Sequence, residues 1–136
     1  MIGEMETPAT RIELVEAELT REIIGAAICV HRELGPGLLE SAYQVSMCHE
    51  LALRRIPFRS QVELPVEYKG VRLDCGYRVD IVVDNRVIVE LKSVEGLSTI
   101  HQSQLLTYLR LSRIRGGLLI NFNVPVLRKG ILRRVL

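Results

Sequence analysis

The sequence RVDIVVDNRVIVELK spans residues 78–92 and predicts two β-strands that are joined by a tight turn. Apolar side chains recur at every second position on both sides of Asp84-Asn85-Arg86, and Asn85 tolerates the left-handed backbone of such turns. Both strands can present these side chains to one core only if the loop has an odd number of residues, most simply residues 84–86. This apolar set comprises Val79, Ile81, Val83, Val87, Val89 and Leu91.

The same register places charged side chains together on the opposite face of the hairpin. Asp80 lies opposite Glu90, and Lys92 follows on the same strand. Two carboxylates that face each other on neighbouring strands repel, so the pair requires a compensating charge. An ion-pair cluster with Lys92 and Arg78 is one solution. A divalent cation that prefers oxygen ligands, Mg²⁺ or Mn²⁺, is the other, and the pattern leaves both open.

Two helices are predicted before this hairpin, and a helix and a further strand after it. Apolar residues at three- and four-residue steps indicate a helix from Thr20, its predicted N-cap, to Leu34, where Gly35-Pro36-Gly37 ends it. The order of elements predicts an α/β (α+β) fold, with a mixed sheet flanked by helices. The other predicted elements are a helix over 38–55, a strand over 62–66 with Pro65 at an edge, a turn at 69–70, a strand over 72–83, a helix over 99–112, a strand over 116–122 and short edge strands at 126–127 and 131–135.

The composition is that of one globular domain. The chain has 136 residues, of which 48% are hydrophobic and 25% charged, and we expect a polar tail or a loosely held turn over 1–18 and a domain over 19–136. No apolar run is long enough to cross a membrane, and no signal peptide is visible.

The cysteines predict reduced thiols in a cytoplasmic protein. Cys29, Cys48 and Cys75 are odd in number and widely spaced, which does not suit a disulfide framework. A zinc site that combines Cys29 and Cys48 with His31 and His49 matches no standard spacing, so buried thiols are the favoured interpretation.

Positive charge is concentrated in the C-terminal third of the chain. No acidic residue follows Glu95. Such asymmetry suits a polyanionic partner, and the ordinary alternative is a set of solvated surface side chains. The positive residues after Glu95 are Arg110, Arg113, Arg115, Arg128, Lys129, Arg133 and Arg134.

The charged residues of the hairpin resemble the signature of the PD-(D/E)XK nuclease superfamily. Asp80 is followed after nine residues by Glu90, and one residue later by Lys92. The residue before the aspartate is Val79 where the signature has proline.

Two further motifs extend this resemblance to nearly the whole chain. Gln104 and Tyr108 reproduce the QxxxY element of the exonuclease-like branch of the superfamily. Gly37, Glu40 and Tyr43 spell GxxExxY, the motif of a group of bacterial proteins within it. The resemblance implies a single-domain restriction-endonuclease-like fold with an αβββαβ core.

The resemblance also implies a metal site at the hairpin. Asp80 and Glu90 would bind Mg²⁺ or Mn²⁺, with the main-chain carbonyl of Leu91 as a third ligand and Glu40 completing the shell. Lys92 would orient the attacking water and stabilise the phosphate in transit.

The remaining implied roles concern the substrate. Gln104 would contact the attacking water or the phosphate. The candidate nucleic-acid contacts are Tyr43, His101, Tyr108, Arg110, Arg113, Arg115 and Lys129.

These features together predict a metal-dependent nuclease that hydrolyses phosphodiester bonds, with DNA a more suitable substrate than RNA. No separate recognition domain is visible, so we expect weak sequence specificity, a homodimer that cuts two strands, or a protein partner that brings the substrate. The alternatives are a catalytically silent nucleic-acid-binding or assembly protein on the same fold and, less favoured, a phosphatase acting on small esters.

Overall fold

The computed structural model describes residues 16–74 and 76–136 of the chain. Most of the predicted tail, and the predicted thiol of Cys75, lie outside the described residues. Helix α1 is already formed at Ala17, two residues before the predicted start of the domain.

The described residues form three α-helices and seven β-strands. In chain order the elements are α1 (Ala17–Leu34), α2 (Glu40–Leu53), β1 (Phe58–Glu63), β2 (Val66–Tyr68), β3 (Val71–Leu73), β4 (Arg78–Val83), β5 (Val87–Lys92), α3 (Thr99–Ser112), β6 (Gly116–Asn121), a 3₁₀ turn (Leu127–Gly130) and β7 (Ile131–Val135).

A mixed five-stranded sheet organises these elements. Its strand order is β1-β4-β5-β6-β7, and β2 and β3 form a separate two-stranded hairpin. The pairs are antiparallel except β5 with β6, which run parallel because α3 crosses over between them. The predicted α+β restriction-endonuclease-like fold is confirmed.

Helices cover both faces of the sheet and produce two apolar cores. Helices α1 and α2 pack on one face against residues such as Ile81, Val89 and Ile120. Helix α3 packs on the other face against residues such as Val82, Ile88 and Leu119. Strand β6 is buried along its whole length, which explains its nearly continuous apolar sequence.

The predicted register of the β4–β5 hairpin is confirmed. Val83 pairs with Val87 and Ile81 with Val89, which leaves residues 84–86 as a three-residue loop. Asp84 and Asn85 both have left-handed backbones, with φ of 50° and 55°. Extending this register places Asp80 opposite Glu90.

Val79 departs from the predicted apolar set, because it packs in the α3 core and not with Ile81. The pairing of β1 with β4 is interrupted between Ser60–Ile81 and Val62–Val79. Gln61 lies in this gap with a left-handed backbone, φ 53°. The facing direction of both strands therefore changes here.

Several predicted boundaries were wrong, and a local competing interaction explains each case. Thr20 does not cap α1 but is buried within it, because the helix begins one turn earlier. The predicted strand over 62–66 is divided at Leu64-Pro65, since proline has no N–H to donate to a ladder.

Two more boundaries were also wrong. The predicted strand over 72–83 is two strands, β3 and β4, separated by residues 74–77. Val126-Leu127 does not form a strand, because the chain tightens there into the 3₁₀ turn before β7.

The 3₁₀ turn requires glycine at position 130. A Cβ atom on Gly130 would overlap the main-chain oxygen of Asn121 and crowd Val124. We predict that Gly130→Ala lowers the free energy of unfolding by about 2–4 kcal/mol in urea titrations. Gly96 has open space around it and no positive φ, so Gly96→Ala is the control, with an expected change within about 0.5 kcal/mol. Equal stability of the two variants would contradict the prediction.

Candidate active site

The ladder between β4 and β5 opens at the facing carboxylates. Main-chain pairing between the strands ends at Ile81–Val89. Beyond this pair, main-chain N–H groups donate to carboxylate side chains and not to main-chain carbonyls. The Asp80 N–H donates to Oε1 of Glu90 at 3.0 Å, and the Leu91 N–H donates to Oδ2 of Asp80 at 2.8 Å. Each carboxylate is thus anchored by a main-chain N–H of the opposite strand, and the two acids lie at the opening between the strands.

The carboxylate of Glu90 is buried next to a second negative charge. Its residue is only 4% exposed. Burial, and then the charge of Asp80, raise the pKa of Glu90 to about 9, while the Asp80 N–H and the charge of Lys92 act in the opposite direction.

The ion-pair cluster that the sequence left open is not formed. Arg78 instead pairs with Glu63, at 3.8 Å. Within residues 16–74 and 76–136, no ion pair joins Lys92 to Asp80 or Glu90. Lys92 acts on Glu90 through a longer-range attraction. The two carboxylates therefore lack a contacting cation from the described chain.

The donor set at this opening fits a hard divalent cation. Two carboxylates and nearby main-chain oxygens are ligands that Mg²⁺ and Mn²⁺ accept. The part of the chain that the structure describes contains no group of three or more His, Cys, Asp or Glu side chains placed to hold a metal. A cation here would retain water or substrate oxygens as its other ligands, as Mg²⁺ commonly does. The same observation excludes the zinc site with Cys29 and Cys48 among these residues.

Helix α3 places a hydrogen-bonded pair beside the carboxylates. Nε2 of Gln104 donates to the hydroxyl of Tyr108 at 3.0 Å, one turn apart on the same face. Tyr108 is only 5% exposed, and its pKa is raised, first by burial and then by the charges of Glu90 and Asp80. Tyr108 therefore lies within electrostatic range of both carboxylates, and Gln104 is hydrogen-bonded to it.

His101 is committed to the start of α3. The Ser98 N–H donates to Nδ1 of His101 at 3.1 Å, and the Ser98 side chain accepts from the His101 N–H. This reciprocal capping box satisfies donors at the helix end and fixes the imidazole orientation.

Helix α2 supports Asp80 through a residue that sequence reasoning missed. Nε2 of Gln44 donates to the main-chain oxygen of Asp80 at 2.9 Å and to the hydroxyl of Ser60 at 3.0 Å. Glu40 lies one turn earlier on the same helix face and is exposed. That four-residue spacing from Glu40 was the available signal for Gln44.

The start of α2 is also tied to the strand that carries Lys92. The hydroxyl of Ser93 donates to the main-chain oxygen of Leu38 at 2.6 Å. Glu40 therefore lies between two contacts to the opening, one at Leu38 and one at Gln44.

Tyr43 has a structural role, which corrects its prediction as a nucleic-acid contact. Its ring is fully buried and stacks on Phe122 with centroids 4.4 Å apart. Its hydroxyl donates to the Gly35 oxygen at 2.6 Å and accepts from the Leu38 N–H. Ring and hydroxyl are both used to fasten the loop between α1 and α2.

The predicted basic contacts are divided between two ends of the sheet. Lys129 precedes β7, whose Ile131 pairs with Ile120 at the same end as Leu91. Arg110, Arg113 and Arg115 lie in the last turn of α3 and the loop after it, leading to Gly116, which pairs with Val87 at the start of β5. The length of β5, about 17 Å, separates that start from Lys92.

The family model of the PD-(D/E)XK nuclease superfamily matches residues 17–135. The chain belongs to this superfamily. The match covers all three helices and the entire sheet, including the opening between β4 and β5. Neither the curated proteins nor the solved structures yielded a match. Membership in the GxxExxY group stays a prediction.

The described helices also bear on membrane association. Among the helices of residues 16–74 and 76–136, none is both long enough and apolar enough to cross a bilayer.

The raised pKa of Glu90 makes the stability of the domain dependent on pH. The folded protein holds this proton up to about pH 9, whereas an unperturbed glutamate, with a pKa of 4.5, loses it at much lower pH. Between these values the folded state binds more protons, so stability falls as pH rises. We predict that Glu90→Gln increases the free energy of unfolding by about 1–3 kcal/mol near about pH 8 and flattens the pH dependence.

Urea titrations across this pH range test the prediction. Glu67→Gln, at an exposed position of β2, is the matched control and should behave like the wild type. If the unfolding free energy of Glu90→Gln fell with pH as steeply as that of the wild type, Glu90 would not be the group that holds the proton.

Gln44 offers a second test of the site's construction. Gln44→Ala removes the donor to the Asp80 oxygen and to Ser60, and we expect a loss of about 1–2 kcal/mol in unfolding free energy. Ser41→Ala, an exposed change on the same helix, should alter it by less than about 0.5 kcal/mol. No difference between the two variants would rule out a supporting role for Gln44.

Proposed function

We propose that this protein is a metal-dependent nuclease that hydrolyses phosphodiester bonds of nucleic acid, with DNA as the expected substrate. The observation that carries the proposal is the pair Asp80–Glu90. Each acid is anchored by a main-chain N–H of the opposite strand, and neither has an ion-pair partner within the described residues. In the absence of a cation, the raised pKa of Glu90 keeps a proton on this buried pair at a cost in stability, which is reasonable for a site that binds a cation.

Residues of both strands and of α2 would hold the cation. Asp80 and Glu90 would hold Mg²⁺ or Mn²⁺ through their second carboxylate oxygens, with the exposed Glu40 reaching the outer shell. In an extended strand the N–H and C=O of one residue point to the same edge, so the Leu91 carbonyl faces the edge where its N–H meets Asp80. When bound, the cation supplies Lewis acidity to the phosphate and to the attacking water.

Two side chains would act on the reacting groups directly, and a third would bind the substrate beside them. Lys92 follows Glu90 on the same face of β5 and would orient the attacking water and stabilise the phosphate oxygens. Gln104, fixed by its bond to Tyr108, would contact the same water or a phosphate oxygen. Lys129, on the 3₁₀ turn at this end of the sheet, would bind the neighbouring backbone. A second copy of the chain or a partner protein would enable cleavage of both strands.

Cleavage of plasmid and labelled oligonucleotides in Mn²⁺ tests the proposal. We expect Asp80→Ala and Lys92→Ala to reduce the cleavage rate by about 100-fold or more, because they remove a cation ligand and the charge near the phosphate. Glu33→Ala and Lys69→Ala, at exposed positions away from the opening, are the charge-matched controls and should cleave like the wild type.

Other outcomes would identify a different function. A folded wild type that binds DNA but neither binds Mn²⁺ nor cleaves would support a catalytically silent nucleic-acid-binding protein. Turnover of a small phosphate ester without any cleavage of DNA or RNA would support a phosphatase.

Metal binding should be linked to proton release. Because the pKa of Glu90 is raised to about 9, a cation at neutral pH displaces a proton from this carboxyl. We predict that the affinity for Mn²⁺ increases with pH up to that value, and that the calorimetric heat depends on the ionisation enthalpy of the buffer. An affinity independent of pH, or equal in Glu90→Gln, would place the cation elsewhere.

A further inference from the structure

Three arginines gather at the end of the sheet opposite the carboxylates. Strands β5 and β6 are parallel neighbours, and Val87 pairs with Gly116. Arg86 and Arg115 immediately precede these two residues, so the register places them side by side. The third, Arg113, ends α3 with a left-handed backbone, φ 63°.

These arginines line a surface pocket of about 320 Å³. Its other walls are Asn85 of the β4–β5 turn, Ile114 and Glu16. Arg59 of β1 reaches the same turn and donates to Oδ1 of Asn85 at 2.9 Å. The pocket is therefore large enough for a phosphate group and is bordered by guanidinium donors from different segments of the chain.

The net charge of the side chains around the pocket is positive even when the local ion pairs are counted. Arg86 is paired with Glu16 at 3.2 Å and with Asp84 at 3.0 Å. Arg115 donates from Nε to the main-chain oxygen of Leu136. Among residues 16–74 and 76–136, no carboxylate side chain forms an ion pair with Arg113 or Arg115.

We propose that this pocket is a second phosphate site, which binds the backbone of a nucleic acid several nucleotides from the bond held at Asp80 and Glu90. Guanidinium groups match phosphate oxygens in geometry as well as charge. Arg86 of the pocket precedes Glu90 by four residues of extended chain, so about 13 Å separates the two sites, which corresponds to roughly four base pairs of duplex. This inference rests on the proposed function, from which it takes nucleic acid as the ligand. Arg113 and Arg115 would contribute to binding affinity and not to catalysis.

Binding of a labelled duplex of about 20 base pairs, which is roughly 70 Å long, tests this site at several salt concentrations. The measurement is made in a chelator, so that binding is read without cleavage. We expect Arg113→Gln/Arg115→Gln to weaken binding about tenfold and to reduce the slope of log affinity against log salt by about 2, one phosphate contact for each arginine. Arg113→Gln alone keeps the Arg115–Leu136 bond and should show about half of that reduction in slope.

The matched control is Arg21→Gln/Arg32→Gln, which removes the same charge from exposed positions of α1 and should leave the slope near that of the wild type. Equal slopes in all variants would overturn the second site. Inorganic phosphate that raises the thermal midpoint of the wild type but not of Arg113→Gln, with duplex binding unchanged, would assign the pocket to a small phosphate compound instead.

The two proposals fail separately. A protein that binds duplex through Arg113 and Arg115 but never cleaves in Mn²⁺ retains the second site and loses the nuclease. A protein that cleaves, with identical salt slopes in all variants, retains the nuclease and loses the second site.

Discussion

Two reciprocal hydrogen bonds organise the centre of this protein: the Asp80 N–H to Glu90 and the Leu91 N–H to Asp80. They replace the ladder bonds that the next pair of β4 and β5 would have formed, and they hold two acids together that would otherwise separate. The surrounding elements maintain this opening. Gln44 fixes the main chain of Asp80 from α2, and Tyr108 of α3 lies buried within electrostatic range of both acids.

The GxxExxY segment combines structural and chemical residues. Gly37 has φ of 96°, a backbone that favours glycine, and Tyr43 is buried against Phe122 while its hydroxyl closes the loop to Gly35. Glu40 is the motif residue with an exposed ionisable side chain, and it begins a helix whose next turn contacts Asp80. Two of the three motif residues thus shape the loop and the helix start from which Glu40 projects.

Strand register and helix bounds were predicted correctly from the sequence where a single physical rule determines them. Period-two alternation and the odd loop were enough for the pairing of Val83 with Val87, and the period of α3 was enough for Thr99–Ser112. Prediction failed where local and long-range forces compete. Val79 was assigned to the wrong core because the change of facing direction next to Asp80 comes from the partner strand, where Gln61 is left-handed. No periodicity within β4 contains that information.

The sequence by itself determined the mixed α+β fold and the placing of Asp80 opposite Glu90, with Lys92 on the same strand, because strand alternation and turn length are local properties of the chain. The tertiary structure alone decided that the acids hold each other's main chains, that Gln44 supports them, and that Arg113 and Arg115 lie at the far end of the sheet. These features depend on packing and on the parallel register of β5 with β6, which join residues distant along the chain.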